Sequence, residues 1–263
     1  MSFSFYKYQA TGNDFIIIDN RLKVFDKNDT KLVAKLCNRR LGIGADGLIL
    51  LELDNDFDFR MVYFNSDGNQ STMCGNGGRC IVSFAKKLNI IGDTTIFLAI
   101  DGSHKAKINN NLVKLKMNDV SVIKKIENGY FLDTGSPHYI SLRSHISKID
   151  VQKEAKFIRN NDIFKKDGVN VNFVEIFDEN RFSIRTYERG VEAETLSCGT
   201  GATAVAIAMH ACKKTFSNNL IIETRGGVLK VNFSENRSNY TDVWLSGPCE
   251  LIFEGVINKK LLS

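Results

Sequence analysis

Residues 65–80 read NSDGNQSTMCGNGGRC and residues 189–204 read RGVEAETLSCGTGATA. Laid over each other, Cys74 falls on Cys198, Gly75 on Gly199 and Gly77 on Gly201, a step of 124 residues. In both copies a cysteine and a Gly-x-Gly lead into an apolar, helix-patterned run, IVSFAKKL (81–88) and AVAIAMHAC (204–212). That order predicts a cysteine at each helix N-terminus. Unpaired N–H groups and the helix dipole there favour a thiolate and attract an anion. A core cysteine needs no glycines after it. A cysteine beside a docked carboxylate does, because backbone approaches an anion closely only where no Cβ intervenes.

The repetition extends outward on both sides. FRMVYF (59–64) overlies SIRTYE (183–188) at the same step, which puts Tyr63 on Tyr187. TIFLAIDGSHKAKI (95–108) overlies NLIIETRGGVLKVN (219–232), with Gly102 on Gly226, and both are hairpin-like. TGNDFIII (11–18) matches TGSPHYIS (134–141) at a step of 123, and DGLILLEL (46–53) overlies NVNFVEIF (170–177). This is a duplication. The expected fold class is α+β: two pseudo-symmetric domains, each a barrel-like β-sheet wrapped around a central apolar helix. The expected domains are 1–118, completed by a returning segment 250–263, and 119–249. An early helix is expected over 27–41, capped by Asn28 or Asp29, with its counterpart over 151–161. Apolar positions all round the run after Cys198 predict a buried helix.

Several function classes fall away. GIGADG (42–47) fits Gly-x-Gly-x-x-Gly, but it follows a helix and precedes a strand, the reverse of a dinucleotide site. The net charge of +5 is mild and no basic run suggests a nucleic-acid partner. The N-terminal stretch lacks the features of a signal peptide, and no apolar stretch is long enough for a membrane span. A cytoplasmic location follows, with the six cysteines reduced. Their spacing does not suit zinc, so no metal is expected. Cys37, Cys80, Cys212 and Cys249 are expected to be inert buried thiols.

The chain resembles the diaminopimelate epimerases, cofactor-independent amino-acid epimerases of lysine and peptidoglycan-precursor biosynthesis. The matching signatures are ATGNDF (10–15), the 65–80 stretch, the Pro-His of GSPH (135–138), NVNF (170–173) and ERGVEAETLSCGTGA (188–202). The resemblance implies substrate bound in a cleft between the domains, with Cys74 and Cys198 as a two-base pair converting LL- to meso-diaminopimelate and no cofactor. It implies that Gly75, Asn76, Gly199 and Thr200 hold the carboxylate at the reacting carbon. Asn13, Asn65, Asn170, Glu188 and Arg189 would hold the remote end, and His138 with Glu188 would tune the thiols. A small-molecule amino acid is the implied partner, and a homodimer is compatible with it. Gly47 stands where relatives commonly carry Gln, and Ser136 where many carry Asn. The segment from Glu188 to Cys198 is one residue longer than in some relatives.

Glu188 and Arg189 take the places of Phe64 and Asn65 in this alignment, which suits a zwitterionic ligand end. The alternatives are a surface salt bridge for Arg189 and a structural role for His138. A proline- or histidine-type racemase is the nearest rival, although proline-type relatives typically carry His in place of Asn76. A redox-sensing binding protein, with Cys74 and Cys198 forming a reversible disulfide, is the rival from another class. It predicts no deuterium exchange at a substrate α-carbon.

Overall fold

Short apolar runs punctuated by glycine and asparagine favour ladders joined by tight turns. In the computed structural model, which describes residues 2–258, eighteen strands and four α-helices are formed among the described residues. The chain divides into two compact units. One runs to Leu115 and resumes at Pro248, and the other is Lys116–Gly247. No helix among the described residues is long and apolar enough to cross a membrane.

In the first unit β1 (Ser2–Ala10) turns through Thr11 and Gly12 into β2 (Asn13–Asp19). Both turn residues have positive φ, 48° and 85°, as a tight hairpin connection requires. Helix α1 (Thr30–Cys37) crosses over to β3 (Gly47–Glu52), parallel to β2, and β4 (Arg60–Asn65) runs antiparallel to β3. Then come β5 (Gln70–Ser71), α2 (Gly75–Lys87), β6 (Thr94–Ala99), β7 (Gly102–Asn109) and β8 (Leu112–Lys116). The second unit follows the same plan. It contains β9 (Ile123–Ile126), β10 (Gly129–Asp133), β11 (Pro137–Leu142), α3 (Val151–Arg159), β12 (Asn170–Ile176), β13 (Arg181–Glu188) and β14 (Ala193–Thr195). Helix α4 (Gly199–Ala211), β15 (Asn219–Thr224), β16 (Gly227–Asn236) and β17 (Asn239–Pro248) complete it. Finally β18 (Glu250–Asn258) pairs antiparallel with β1 in the first unit. Residues 259–263 of the expected return segment lie outside the described residues.

Continuous burial of Phe15–Ile18 and Leu48–Leu51 has a simple cause: both faces of these strands are covered. Ile16, Ile18, Leu48 and Leu50 pack with Val33 and Leu36 of α1, while α2 lies against β1, β2, β3 and β7. In the second unit α4 lies against β10, β11, β12, β15 and β16. Each central helix has thirteen residues, of which ten are buried.

The pairings correct the sequence alignment. Phe15 opposes Gly47 in the first unit and His138 opposes Asn170 in the second, so the step through β2 and β3 is 123. Phe64 opposes Leu48, and Tyr187 opposes Val171, so the step in β4 is also 123. Tyr63 therefore corresponds to Thr186, and Asn65 corresponds to Glu188 rather than to Arg189. The step becomes 124 at β5, where Ser71 and Thr195 face those two residues. It becomes 125 at the later hairpin, where Gly102 and Gly227 occupy the same place opposite Ala99 and Thr224. Each added residue lies in a connection, the first between β13 and β14 and the second between α4 and β15. A slip of one residue in a strand exchanges its faces, so the correction changes which side chains are equivalent.

Helix α1 is also shorter than 27–41. Asp29 caps it, its side chain accepting from the Leu32 N–H, and it ends at Cys37. The N–H groups of Ile43 and Gly44 then turn back onto the Leu36 carbonyl, with Gly44 at φ 81°. Helix α3 runs over Val151–Arg159 within the expected 151–161, capped by Asp150.

Candidate active site

Cys74 is the N-cap of α2, and its Sγ accepts a hydrogen bond from the Gly77 N–H at 3.1 Å. The first turn of a helix has N–H groups with no helical partner, and here one of them is spent on sulfur. Glycine permits this. A Cβ on Gly77 would stand 3.2 Å from that Sγ and 3.2 Å from Ile49 Cδ1, and one on Gly78 would stand 2.8 Å from Met73 Sδ. Gly75 and Asn76 are buried beside the thiol in the same turn.

The Asn76 amide donates to Asn13 Oδ1 at 3.3 Å, and Asn13 donates to Asp46 Oδ2 at 2.6 Å. Arg39 bridges Asp46 and Asp14 at 2.7 Å each, and Lys7 pairs with Asp14 at 2.7 Å. Burial alone would raise the Asp14 pKa, but the hydrogen bonds and charges of Arg39 and Lys7 hold it well below the usual carboxylate range. This ionic cluster fixes Asn13 and so Asn76. Asn65 stands apart at the exposed end of β4.

Cys198 caps α4 and is 6% exposed. It lacks the Cys74 arrangement of a side chain accepting from a cap amide. Its Sγ lies 3.4 Å from Thr200 Oγ1, which lies 3.0 Å from His138 Nε2. His138 Nδ1 meets the Asn172 amide nitrogen at 3.1 Å. That nitrogen also faces the Tyr139 carbonyl, which can only accept, and Asn172 Oδ1 accepts from the Thr186 hydroxyl at 2.9 Å. The chain of donors assigns the imidazole tautomer. Nδ1 accepts from Asn172, Nε2–H donates to Thr200, and the Thr200 proton is directed to sulfur. Complete burial, and then the Arg189 charge, push the His138 pKa down to about 3, so the ring is neutral. Gly201 makes room for the relay, since a Cβ there would stand 2.6 Å from Asn172 Oδ1.

Glu188 accepts from the Thr195 hydroxyl. The Arg189 N–H donates to Asn170 Oδ1 at 2.8 Å, and its guanidinium donates to the Asp167 carbonyl at 3.0 Å. Among the described residues Arg189 makes no ion pair, so the surface salt bridge is not what holds it. Asn170 spends its amide on Ser136 Oγ at 2.8 Å and the Pro137 carbonyl at 2.9 Å, so it orients the Arg189 backbone and the Ser136 turn. Gly199 is buried in the first turn of α4.

Four participants escaped the sequence reading: Thr11, Thr134, Asn172 and Arg79. Thr11 Oγ1 donates to Asn76 Oδ1 at 3.4 Å, and Thr134 Oγ1 donates to the Thr200 carbonyl at 2.9 Å. The two matched TG turns thus touch the two matched cap turns. Arg79 is a charged residue inside a buried helix, a signal visible in the sequence. Burial pushes Cys37 up to about 12 and raises Cys80 and Cys249, in keeping with inert thiols. Cys212 differs from expectation: it is the C-cap of α4 and only partly buried.

Comparison with known proteins follows the same division. A model of the diaminopimelate epimerase family matches residues 5–123 and 130–251. The diaminopimelate epimerase of Flavobacterium psychrophilum is 58% identical over 253 residues, covering 96% of this chain and 99% of its own. That of Chlorobaculum tepidum is 42% identical over 257 residues, covering 94% and 98%. The crystal structure of a Bacillus anthracis phenazine biosynthesis protein of the PhzF family shares the fold, with a TM-score of 0.76 at 14% identity over 98% of this chain and 99% of that one. With identity on that scale over nearly its whole length, the chain belongs to the diaminopimelate epimerase family.

Proposed function

We propose that Cys74 and Cys198 are the acid and base with which the protein, a diaminopimelate epimerase by family, inverts one α-carbon of LL-2,6-diaminopimelate to give the meso form. The carrying observation is that each unit caps its buried central helix with a cysteine followed by Gly-x-Gly. Inversion requires a base to take the proton from one side of the carbon and an acid to return one to the other. A free thiol titrates near pH 8.5, close enough to neutrality to serve either role. In one direction a thiolate takes the α-proton and the other thiol supplies its own, so the two exchange states and the net charge is conserved.

Negative charge that spreads onto the α-carboxylate would be met by the N–H dipoles at the helix starts, around Gly75 and Asn76 and around Gly199 and Thr200. Preorganised donors of this kind are typically worth about 3–4 kcal/mol each. His138 acts as a neutral donor through Thr200, so its part is to orient a hydroxyl rather than to carry charge. Arg189 keeps nitrogens beyond the one bound to Asp167, which suits a fork on a distal carboxylate. Glu188 and Asn65 occupy equivalent strand ends, so an acid in one unit is matched by an amide in the other. That asymmetry suits an ammonium group at one end of the ligand. A reducing cytoplasm, in which both thiols stay free, accompanies this reading, and a homodimer is compatible with it.

The test is incubation of LL-diaminopimelate in heavy water with wild type, Cys74→Ala and Cys198→Ala. Loss of the α-C–H signal with formation of the meso isomer is expected for the wild type alone. Epimerisation near the wild-type rate in either variant would overturn the two-thiol mechanism. Turnover of proline in place of diaminopimelate would overturn the substrate.

A further inference from the structure

Arg79 lies in the second turn of α2 and is 0% exposed. A guanidinium leaves water only at high cost unless its donors are satisfied. Nη1 donates to the Gly75 carbonyl at 3.2 Å, and Nη2 donates to Asn76 Oδ1 at 2.9 Å and Thr11 Oγ1 at 3.0 Å. Nε reaches the Pro248 carbonyl at 3.4 Å. One side chain therefore ties the β1–β2 turn, the cap turn of α2 and the point where the chain re-enters the first unit. All four acceptors are neutral, and among the described residues no carboxylate pairs with the cation.

Burial works against the Arg79 charge, and three thiols work for it: Cys80 on its own helix, then Cys249 from the returning segment, then Cys74 at the helix cap, whose two next residues Arg79 holds. Burial pushes Cys80 well above its ordinary value and raises Cys249, so both are neutral near pH 7. Asp14, which is felt at Cys80, is already covered by Lys7 and Arg39. Tyr8, close to Cys80 and Cys249, is raised by burial and stays neutral as well. The one partly exposed thiol of the three is Cys74, and it has a backbone N–H directed at its sulfur.

The second unit is built differently. Thr203 occupies the place of Arg79, its hydroxyl donating to the Gly199 carbonyl at 3.0 Å. Conversely, the polar relay His138, Asn172 and Thr186 corresponds to Phe15, Ile49 and Tyr63, all buried, in the first unit. Each thiol has a polar apparatus at its helix, but one apparatus is cationic and the other neutral.

We propose that Arg79 is the built-in counter-ion of a Cys74 thiolate and, by holding Asn76 and Thr11, a positioning residue for the first cap turn. The two thiols are thereby matched in backbone geometry and opposed in charge. A reaction that needs one thiolate and one thiol at the same moment gains from such a division. With equivalent surroundings, the doubly protonated and doubly ionised forms would take a larger share of the enzyme.

The experiment uses the full chain and reads ionisation without turnover. Wild type, Arg79→Met and Arg79→Lys are pulsed with iodoacetamide between pH 6 and 9.5. Labelling of Cys74 and Cys198 is then quantified separately by peptide mass spectrometry. In Arg79→Met, Cys74 labelling at pH 7 should slow about tenfold relative to Cys198, and the Cys74 pH profile should move upward. Arg79→Lys keeps the charge and loses the fork, so its Cys74 profile should stay near wild type while turnover falls. Unchanged profiles in a folded Arg79→Met, or equal movement at both thiols, would overturn the proposal. Should Arg79→Met fail to fold, Arg79→Gln carries the same comparison. The inference rests on Cys74 being an acid–base thiol. A wild type inactive on LL-diaminopimelate would sink the proposed function and leave the labelling result standing.

Discussion

His138 shows how much one buried side chain ties stability to chemistry. Its pKa is held near 3 by burial and by the Arg189 charge, against an ordinary value of 6.5. Between those values the unfolded chain binds a proton that the folded chain refuses. Stability from this group is therefore complete above about pH 6.5 and is lost as pH falls toward 3, at up to about 1.4 kcal/mol per pH unit. Carboxylates have their ordinary midpoints near pH 4 and the chain has four histidines, so between pH 6 and 5 the part of His138 is read as the difference between wild type and a His138 variant. Urea unfolding across that interval should show this slope in the wild type and a flatter one in His138→Gln. Identical slopes would mean that the ring is charged in the folded protein, and the neutral relay to Thr200 would fall with it. Gly47 is a second residue whose surroundings decide its identity. A Cβ there would meet the Phe64 carbonyl and the Tyr63 ring at 2.6 Å, so the space for a larger side chain is filled by tyrosine.

At the scale of elements, the two cap turns are alike in backbone and unlike in tolerance. A methyl group on Gly77 meets Cys74 Sγ and Ile49 Cδ1 at 3.2 Å, contacts that small rotations can relieve. On Gly201 it meets Asn172 Oδ1 at 2.6 Å, and Asn172 is held by Thr186, His138 and the Tyr139 carbonyl. Alanine in a helix gains up to about 1 kcal/mol over glycine, while breaking a buried hydrogen-bond partner costs about 1–3 kcal/mol. Gly77→Ala should thus be near neutral in stability, and Gly201→Ala should lose about 1–2 kcal/mol by urea midpoint. Equal losses at both sites would show that Asn172 yields freely and that the relay is soft. The helix starts were legible because Cys-Gly-x-Gly before an apolar run has few other meanings. The relay was not, because Asn170 and Asn172, two residues apart on β12, share one face of the strand, and only the folded contacts show that Asn172 is the one that meets His138 and Thr186.

At the scale of the molecule, the duplication was legible from spacing, and its register was not. Aligning Tyr63 with Tyr187 preserved an identity and kept the step of the cysteine turns, yet the ladders place Tyr63 on Thr186. Single-residue additions in connections leave the apolar pattern of each strand intact, so sequence comparison slides past them without penalty. The returning strand offers a test of how the first unit is completed. Eight residues of β18 oppose β1, from Ser2 with Asn258 to Gln9 with Glu250, with an irregularity between Lys7 and Tyr8. Pro248 at the re-entry point accepts from Arg79, and β18 pairs along β1, which carries the Lys7 that anchors Asp14, so the segment supports the Cys74 cap once directly and once through β1. A chain ending at Gly247 should therefore lose hydrogen-exchange protection in β1 and β2, while β12 and β13, in the other compact unit, keep theirs. Cys74 alkylation in the truncated chain should also lose its distinct pH profile, since Arg79 no longer has its full set of acceptors. Protection of β1 equal to that of the intact protein would show that its pairing with β2 suffices, and that the returning strand contributes little to the first unit.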